Sequence, residues 1–328
     1  MRAMVEAWAG PNVARMRVSG MDELVVLFGG GGFLGTYVAQ ELLRGGARVR
    51  IAERNTLDSF HLQPLAALGQ AQSVRADITK GESVARAVEG ASAVINLVGV
   101  LKGKFEAVHV EGAANVAKAA AAAGVRRLIQ ISAIGADPQA ESAYARTKGQ
   151  GEQAARAAFA EATIIRPSLM FGPEDAFVNR FARLIARAPV VPVIRSDVRF
   201  QPAWVVDAGR AIAKLALGHA PAGKTYELGG PQVLTMMELH RWIAEAVAHK
   251  PRFVAVPDGV AAAMARFGFL PGAPITWDQW LMLQRDNVVA TGAKGFADLG
   301  IAPAPLAAVA LNWLVRYRRH GRFSLNAA

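Results

Sequence analysis

The chain has 328 residues, no cysteine, and a formal net charge of +11 with a pI near 10.4. The lack of thiols excludes disulfides, thiolate catalysis and zinc–sulfur sites, and suits a reducing compartment. A composition 52% hydrophobic and 19% charged is apolar for a soluble chain without being a membrane-spanning one, and the basic balance calls for an acidic partner or surface.

Residues 1–20 lack the continuous apolar core of a secretory signal, so residues 1–21 are expected to be a short N-terminal extension. Leu24–Phe28 then reads as a buried strand and residues 29–35 as a glycine turn. The helix after it places Leu34, Val38 and Leu42 on one face at a spacing of four. Residues 48–52 form a second strand that ends in Glu53-Arg54-Asn55. Residues 73–75 form a third, followed by Asp77 and a helix over 82–88. Strands over 93–98, 128–132 and 163–166 follow, with an alanine-rich helix over 113–123 among them. Strands alternating with helices of this length predict an α/β fold with a Rossmann-type, doubly wound parallel sheet over residues 22–166. Ligands of such sheets bind at the carboxyl edge of the strands.

After Pro167 the pattern loosens, and residues 167–328 are expected to form a smaller C-terminal α/β lobe with some strands returning to the main sheet. The chain predicts a helix over 180–188, a strand over 204–206 with Asp207 capping a helix over 208–217, and a strand Thr225–Leu228 stopped by Gly229-Gly230-Pro231. Thr235 and Glu238 make a capping box for the next helix. The apolar stretches 260–277 and 299–315 are interrupted, the first by Arg266, Gly268, Pro271 and Pro274, the second by Pro303 and Pro305. Crossing ~30 Å of hydrocarbon takes about 20 clean apolar residues, so both are expected to be buried or interfacial helices.

Basic residues are densest over 180–199 and in the tail Arg316, Arg318, Arg319 and Arg322. They are not interleaved with aromatics as a nucleic-acid platform requires, so no nucleic-acid partner is expected. The tail Trp313-Leu-Val-Arg-Tyr-Arg-Arg suits an anionic membrane surface or a subunit interface, and equally a solvated helix end with cation–dipole pairing.

Gly29, Gly32 and Gly35 stand at three-residue intervals between a strand and a helix. The first permits a sharp turn, the second lets backbone approach a pyrophosphate, and the third lets helix and strand pack closely, with the helix N-terminus facing the anion. With an acidic residue at the end of the next strand, this predicts a nicotinamide dinucleotide site. Glu53 stands where a carboxylate accepts from ribose hydroxyls, favouring NAD(H). Arg54 can instead pair with a 2′-phosphate, favouring NADP(H), to which the balance tilts slightly. Asp77 is placed for the adenine amino group or, more simply, as a helix cap.

The Gly-x-x-Gly-x-x-Gly spacing, Ser132 and Tyr144-Ala-Arg-Thr-Lys148 together resemble the extended short-chain dehydrogenases/reductases. The carrying segments are Phe28-Gly-Gly-Gly-Gly-Phe-Leu-Gly35, Val94-Ile-Asn-Leu-Val-Gly-Val100, Ile165-Arg-Pro-Ser-Leu-Met-Phe-Gly172 with Glu174, Asp175 and Asn179, and Gln201-Pro-Ala-Trp-Val-Val-Asp207. More narrowly, the run from Phe171 to Asn179 resembles atypical members that serve as the NAD(P)H-binding accessory subunit of respiratory complex I. The resemblance implies a cofactor cleft made by Gly29, Gly32, Phe33, Leu34, Gly35, Glu53, Arg54, Asp77, Ile78, Leu97, Val98, Gly99, Tyr144, Lys148 and Pro167. In members that catalyse, a tyrosine exchanges a proton with substrate, a lysine binds ribose and lowers the tyrosine pKa, and a serine polarises the substrate oxygen. By resemblance these roles fall on Tyr144, Lys148 and Ser132. The i, i+4 spacing puts Tyr144 and Lys148 on one helix face, and a phenol of ordinary pKa near 10 needs such a cation to work at neutral pH.

One departure concerns the family's Asn-Val-x-Gly motif, which here reads His109-Val-Glu-Gly112. His109 is read either as a proton relay or as an ordinary helix residue bonded to a backbone carbonyl. No metal is expected: the other histidines lack ligand spacing, and Glu174, Asp175 and Asp197 are expected to be ion-paired loop residues. Trp277, Trp280, Met282 and Trp313 read as core or interface packing.

Two functional classes follow. In the first, NAD(P)H stays bound in a non-turnover accessory subunit of membrane-bound complex I, beside the subunits of the quinone-reducing arm. Such a protein is peripheral on the cytoplasmic face of a bacterial inner membrane or the mitochondrial matrix side. The second is a free-standing NAD(P)-dependent reductase, dehydrogenase or epimerase of quinone, isoprenoid or nucleotide-sugar metabolism. A complex I assembly factor differs from the first mainly in stoichiometry.

Overall fold

The computed structural model describes residues 23–319 other than Pro271, together with Gly321. The expected extension over 1–21 and Arg322 of the basic tail therefore lie outside the described residues. In chain order the main elements are β1 (Leu24–Phe28), α1 (Phe33–Arg44), β2 (Arg48–Glu53), β3 (Ala71–Arg75), α2 (Gly81–Val88), β4 (Ala93–Asn96), α3 (Gly112–Ala122), β5 (Arg127–Ile131), α4 (Ala143–Ala158) and β6 (Thr163–Pro167). They continue as β7 (Met170–Phe171), α5 (Val178–Ile185), β8 (Val190–Ile194), β9 (Arg199–Phe200), β10 (Ala203–Trp204), α6 (Val205–Ala216), β11 (Thr225–Leu228), β12 (Leu234–Thr235), α7 (Met236–Ala246), β13 (Arg252–Val256), α8 (Asp258–Arg266) and α9 (Trp277–Met282).

Seven parallel strands in the order β3-β2-β1-β4-β5-β6-β11 make the main sheet. The central strands are apolar at nearly every position because both faces are covered. Alternate residues of β1 divide between two cores. Val25 and Leu27 join Val38, Leu42 and Ile51 under α1 and α6, whereas Val26 and Phe28 join Val84, Val116 and Ala117 under α2 and α3. A third core gathers Phe171, Val178, Ile185, Leu239, Ile243 and Leu314. It sits beside three two-stranded sheets, β7 with β10, β9 with β12, and β8 with β13.

The strand order reverses between β1 and β4, so the chain diverges at their carboxyl ends and leaves a crevice there. The expected strand Thr225–Leu228 is the seventh strand of this sheet, and α6 covers its α1 side. The 225–228 segment thus returns to the main sheet.

Several local expectations need correction. The 204–206 segment is not a strand: β10 ends at Trp204, and α6 begins at Val205. Trp204 is the N-cap, and Asp207 lies in the first helical turn rather than capping it. Its carboxylate is buried, accepting from the Ala304 amide at 2.7 Å and from Arg210 at 3.2 Å. Glu174, Asp175 and Asp197 make no ion pair with one another's neighbouring arginines among the described residues. Glu174 accepts from the Tyr37 hydroxyl at 2.7 Å. Asp175 is buried and accepts from the amides of Gly172 and Val178 at 3.2 and 2.6 Å.

The described part of the tail turns inward. Trp313 stacks on Phe171 with ring centroids 6.4 Å apart. Arg316 donates to the Pro173 carbonyl and to Asn179, each at 2.8 Å, and Arg318 donates to the Ala246 carbonyl at 2.9 Å. Arg316 and Arg318 thus fasten the tail to the third core, while Arg316 and Arg319 remain exposed. The capping box at Thr235 and Glu238 is present as expected.

Replacing Asp207 by alanine strands the Ala304 amide, a loss on the order of 1–3 kcal/mol for a buried donor. Urea denaturation of Asp207→Ala is expected to show a lowered midpoint at unchanged slope. An unaltered midpoint would mean that the segment around Ala304 is held by other contacts.

Candidate functional site

The first wall of the crevice is the glycine turn. Gly29 has φ +81°, a conformation glycine adopts without steric cost. A Cβ on Gly35 would lie 2.3 Å from the Gly29 carbonyl oxygen, so only glycine lets α1 start this close to the turn. At Gly32, the N-cap of α1, a Cβ would meet a single atom, the Gly29 carbonyl oxygen at 3.3 Å. No side chain caps α1 and no acidic residue occupies its first turn. The first amides of a helix have no intrahelical acceptor, so those of Phe33, Leu34 and Gly35 remain for an anion. The Phe33 ring turns away, toward Gly172 and Tyr37.

At the end of β2 the Glu53 carboxylate accepts from the Gly31 amide at 2.7 Å. Burial raises its pKa, partly opposed by that hydrogen bond. Arg54 beside it is exposed. Asp77 uses one oxygen on the amide and hydroxyl of Thr79, at 3.0 and 2.8 Å, while Lys80 is the N-cap of α2. It therefore organises the turn before that helix without capping it. Ile78 is buried, and its carbonyl accepts from Asn115 at 2.9 Å.

The second wall follows β4, where Leu97 hydrogen-bonds back to Phe28 at 2.9 Å. Leu97, Val98 and Gly99 run from there toward α4. Lys148 is buried on α4, and its Nζ donates to the Ile131 carbonyl at 3.2 Å. A Cβ on Gly99 would lie 3.0 Å from that Nζ. The nearest acidic residue along the helix, Glu152, has both oxygens on Arg166 at 2.8 and 2.7 Å. Lys148 consequently has no carboxylate within salt-bridge distance among the described residues, and burial pulls its pKa down to about 8.

His109 lies in a wide π-helical turn, Glu106–Glu111, that leads into α3. Its Nε2 accepts from the Val100 amide at 3.0 Å. The ring proton must then reside on Nδ1, which faces the Thr147 hydroxyl at 3.0 Å, and that hydroxyl donates on to the Ala143 carbonyl at 2.7 Å. Burial first, then the charge of Lys148, push the imidazole pKa down to about 3. His109 is a neutral fixture with both nitrogens engaged, bonded to a backbone amide rather than to the carbonyl expected.

Tyr144 packs edge-on to His109 at 5.5 Å and to Phe105 at 6.2 Å, with Lys148 Nζ 5.9 Å from its ring centroid. Its pKa is raised to about 12, by burial first and then by the Asp278 carboxylate. Asp278, from α9, accepts from the Ala143 amide at 2.6 Å and the Tyr144 amide at 3.3 Å. It thus serves as a second cap on α4, beside Ser142, whose hydroxyl accepts from Ala145 at 3.2 Å. Tyr144 lines a cavity of about 410 Å³ with Ala133, Ser142, Met282 and Asn287. The Ser132 hydroxyl is buried with no hydrogen-bond partner, and Pro167 closes β6 beside it, its carbonyl accepting from Ile134 at 3.1 Å.

The structure therefore brings the glycine turn, the 97–99 loop, Tyr144 and Lys148 to one crevice. Ser132 follows the carbonyl that Lys148 engages, with no hydrogen bond joining its hydroxyl to either side chain. Uncapped helical amides, a buried cation lacking a counter-charge and an unsatisfied hydroxyl fit a nicotinamide dinucleotide. Asp278 and Thr147 were missed in the sequence. The spacing of Thr276 and Gln279, a capping box in the structure, marks a helix start, but no sequence signal places Asp278 against α4.

Residues 29–177 match a family model described as NAD(P)H-binding. The chain is 32% identical to the mitochondrial NADH-ubiquinone oxidoreductase 40 kDa subunit of Neurospora crassa, covering 92% of this chain and 81% of that subunit. It is also 32% identical to a ceramide reductase of Caulobacter vibrioides, over 74% of this chain and 76% of that enzyme. A solved NADPH-dependent quinone oxidoreductase of Escherichia coli, complexed with NADPH, superposes with a TM-score of 0.73 at 20% identity, covering 88% of this chain and 99% of that one. The chain carries a Rossmann-type sheet whose residues 29–177 match an NAD(P)H-binding family model, and it belongs to the family of the NADH-ubiquinone oxidoreductase 40 kDa subunit.

Proposed function

We propose that this protein is an NAD(P)H-binding accessory subunit of respiratory complex I that holds its dinucleotide without turning it over. On this reading it lies beside the quinone-reducing arm, peripheral on the cytoplasmic face of a bacterial inner membrane or on its mitochondrial equivalent, the matrix side. The observation that carries the non-turnover part is the setting of Tyr144: its ring is packed against Phe105 and His109, and the Asp278 carboxylate sits on the first amides of its helix. Burial and that carboxylate raise its pKa to about 12, which makes the phenol a weaker acid than an ordinary tyrosine. The assembly is supported by similarity to the Neurospora subunit along 92% of the chain, well beyond the NAD(P)H-binding match that ends at residue 177. No helix among the described residues is long and apolar enough to cross a membrane.

Bound dinucleotide supplies binding free energy to the folded state, about 4 kcal/mol at a thousandfold excess over its dissociation constant; in a catalysing relative it also supplies hydride. The chain's own residues seat the diphosphate on α1, the ribose against Lys148 and the adenosine end against Glu53, Arg54 and Asp77. Glu53 is turned onto Gly31, leaving Arg54 as the outward charge at the end of β2. We assign the site to NADP(H) on that ground. Arg54→Gln is expected to weaken NADPH binding about tenfold more than NADH binding, read by calorimetry. Equal losses for both nucleotides would overturn the preference.

The ceramide reductase likeness and the intact Ser132, Tyr144 and Lys148 favour a second reading as a reductase of an apolar substrate. Tyr144→Phe decides between the two. The accessory-subunit reading expects full in vivo complementation with nucleotide retained, and the Phe variant and wild type alike in purified complex I. Loss of the phenotype with nucleotide still bound establishes turnover, and complex I purified without this protein refutes the assembly.

Lys148 adds a pH signature. Its folded pKa of about 8 lies below the ordinary 10.5, so between those values the unfolded chain holds the extra proton and stability rises with pH. An anionic dinucleotide beside Lys148 raises its pKa again. Binding at about pH 9 should therefore take up on the order of one proton, measured by calorimetry in buffers of different ionisation enthalpy. Lys148→Met should abolish that uptake; its persistence in the variant would remove Lys148 from the cofactor site.

A further inference from the structure

An outward-facing apolar surface lies on α8, α9 and the turn between them. Phe269 is 78% exposed, Phe267 60% and Leu270 50%. The two phenylalanine rings stand 6.5 Å apart, and the Arg266 guanidinium lies 5.4 Å from the Trp277 ring. A groove of about 690 Å³ runs between Phe269, Leu270 and Trp277, and Lys102 reaches it from the loop after β4. The carboxylates of this unit are engaged: Asp258 pairs with Arg195 at 2.8 Å, and Asp278 caps α4. What the groove offers outward is aromatic surface with Arg266 and Lys102.

We propose that the turn between α8 and α9 docks on an anionic bilayer, with Phe267, Phe269 and Leu270 in the acyl boundary and Arg266 and Lys102 at the level of the lipid phosphates. The proposal rests on the peripheral-membrane part of the function argued above and names the element responsible. Charge favours an anionic bilayer as the occupant. Phe267, Phe269 and Leu270 are exposed beside two cations, Arg266 and Lys102, while Asp258 and Asp278 are engaged elsewhere, an arrangement suited to an interface that is apolar on one side and anionic on the other.

The test uses the full chain with its nucleotide and vesicles of phosphatidylcholine, with or without cardiolipin. Wild type is expected to co-sediment with the cardiolipin vesicles, less so as salt rises. Phe269→Glu and Arg266→Glu are each expected to lower partitioning about tenfold, with nucleotide content and melting temperature unchanged. Leu68→Glu, at a fully exposed apolar residue outside this unit, is expected to bind like wild type. Absence of wild-type binding, or equal binding by both hairpin variants, overturns the proposal. So does normal vesicle binding by variants that no longer co-purify with respiratory subunits, which assigns the turn to a protein partner. Vesicle binding that depends on Phe269 in a protein absent from purified complex I upholds this inference and refutes the accessory-subunit reading.

Discussion

Lys148 is an ammonium group inside the protein whose one hydrogen-bond partner among the described residues is a carbonyl oxygen, that of Ile131. Burying a charge this way costs several kcal/mol unless a counter-charge is at hand, and the fold withholds the obvious one. Glu152, one turn along α4, is clamped by Arg166, which also reaches Glu227 at 3.4 Å. That triad ties α4, β6 and β11 together while leaving the lysine only the more distant field of Glu152. Burial and, after it, the same lysine charge keep His109 neutral, and the Val100 amide donating to its Nε2 leaves the ring proton on Nδ1, facing the Thr147 hydroxyl. A dinucleotide carrying several negative charges relieves the imbalance at its source.

Tyr144 sits one turn from Lys148 yet has the opposite bias. In the catalytic use of such a pair the lysine lowers the phenol's pKa. Here the ring is surrounded by Phe105 and His109, and the carboxylate of Asp278 stands at the start of its helix. An anion at a helix N-terminus contributes about 0.3–2 kcal/mol, so Asp278 stabilises α4 and discourages a phenolate with the same charge. Loss of the family's asparagine to His109 points the same way, because a histidine with both nitrogens committed has nothing left to relay.

How much of this was legible in the sequence depends on the range of each contact. The glycine turn, the buried strand β1, and the placing of Tyr144 and Lys148 on one helix face at i, i+4 are local, and they read correctly. The capping box at Thr235 was local too. Asp207 was misread because its partner, the Ala304 amide, is 97 residues away, and a carboxylate just after an apolar pair looks like a cap. The basic tail was read for its composition, whereas Asn179 and Pro173, 137 and 143 residues distant from Arg316, decide where its charges go. Asp278 was read as nothing at all. Its role depends on α9 folding across the start of α4, which no periodicity encodes.

That crossing gives the second half of the chain its bearing on the first. α9 begins beside an exposed aromatic turn and, through one carboxylate, ends the run of free amides at the head of the helix that carries Tyr144 and Lys148. A force that lifted α9 would leave the Ala143 and Tyr144 amides without acceptors and remove the charge that opposes phenolate formation. The position of α9 and the electrostatics around Tyr144 are therefore aspects of one arrangement. Coupling between two sites is reciprocal in free energy: whatever holds α9 in place favours the capped helix, and whatever favours the capped helix holds α9 in place.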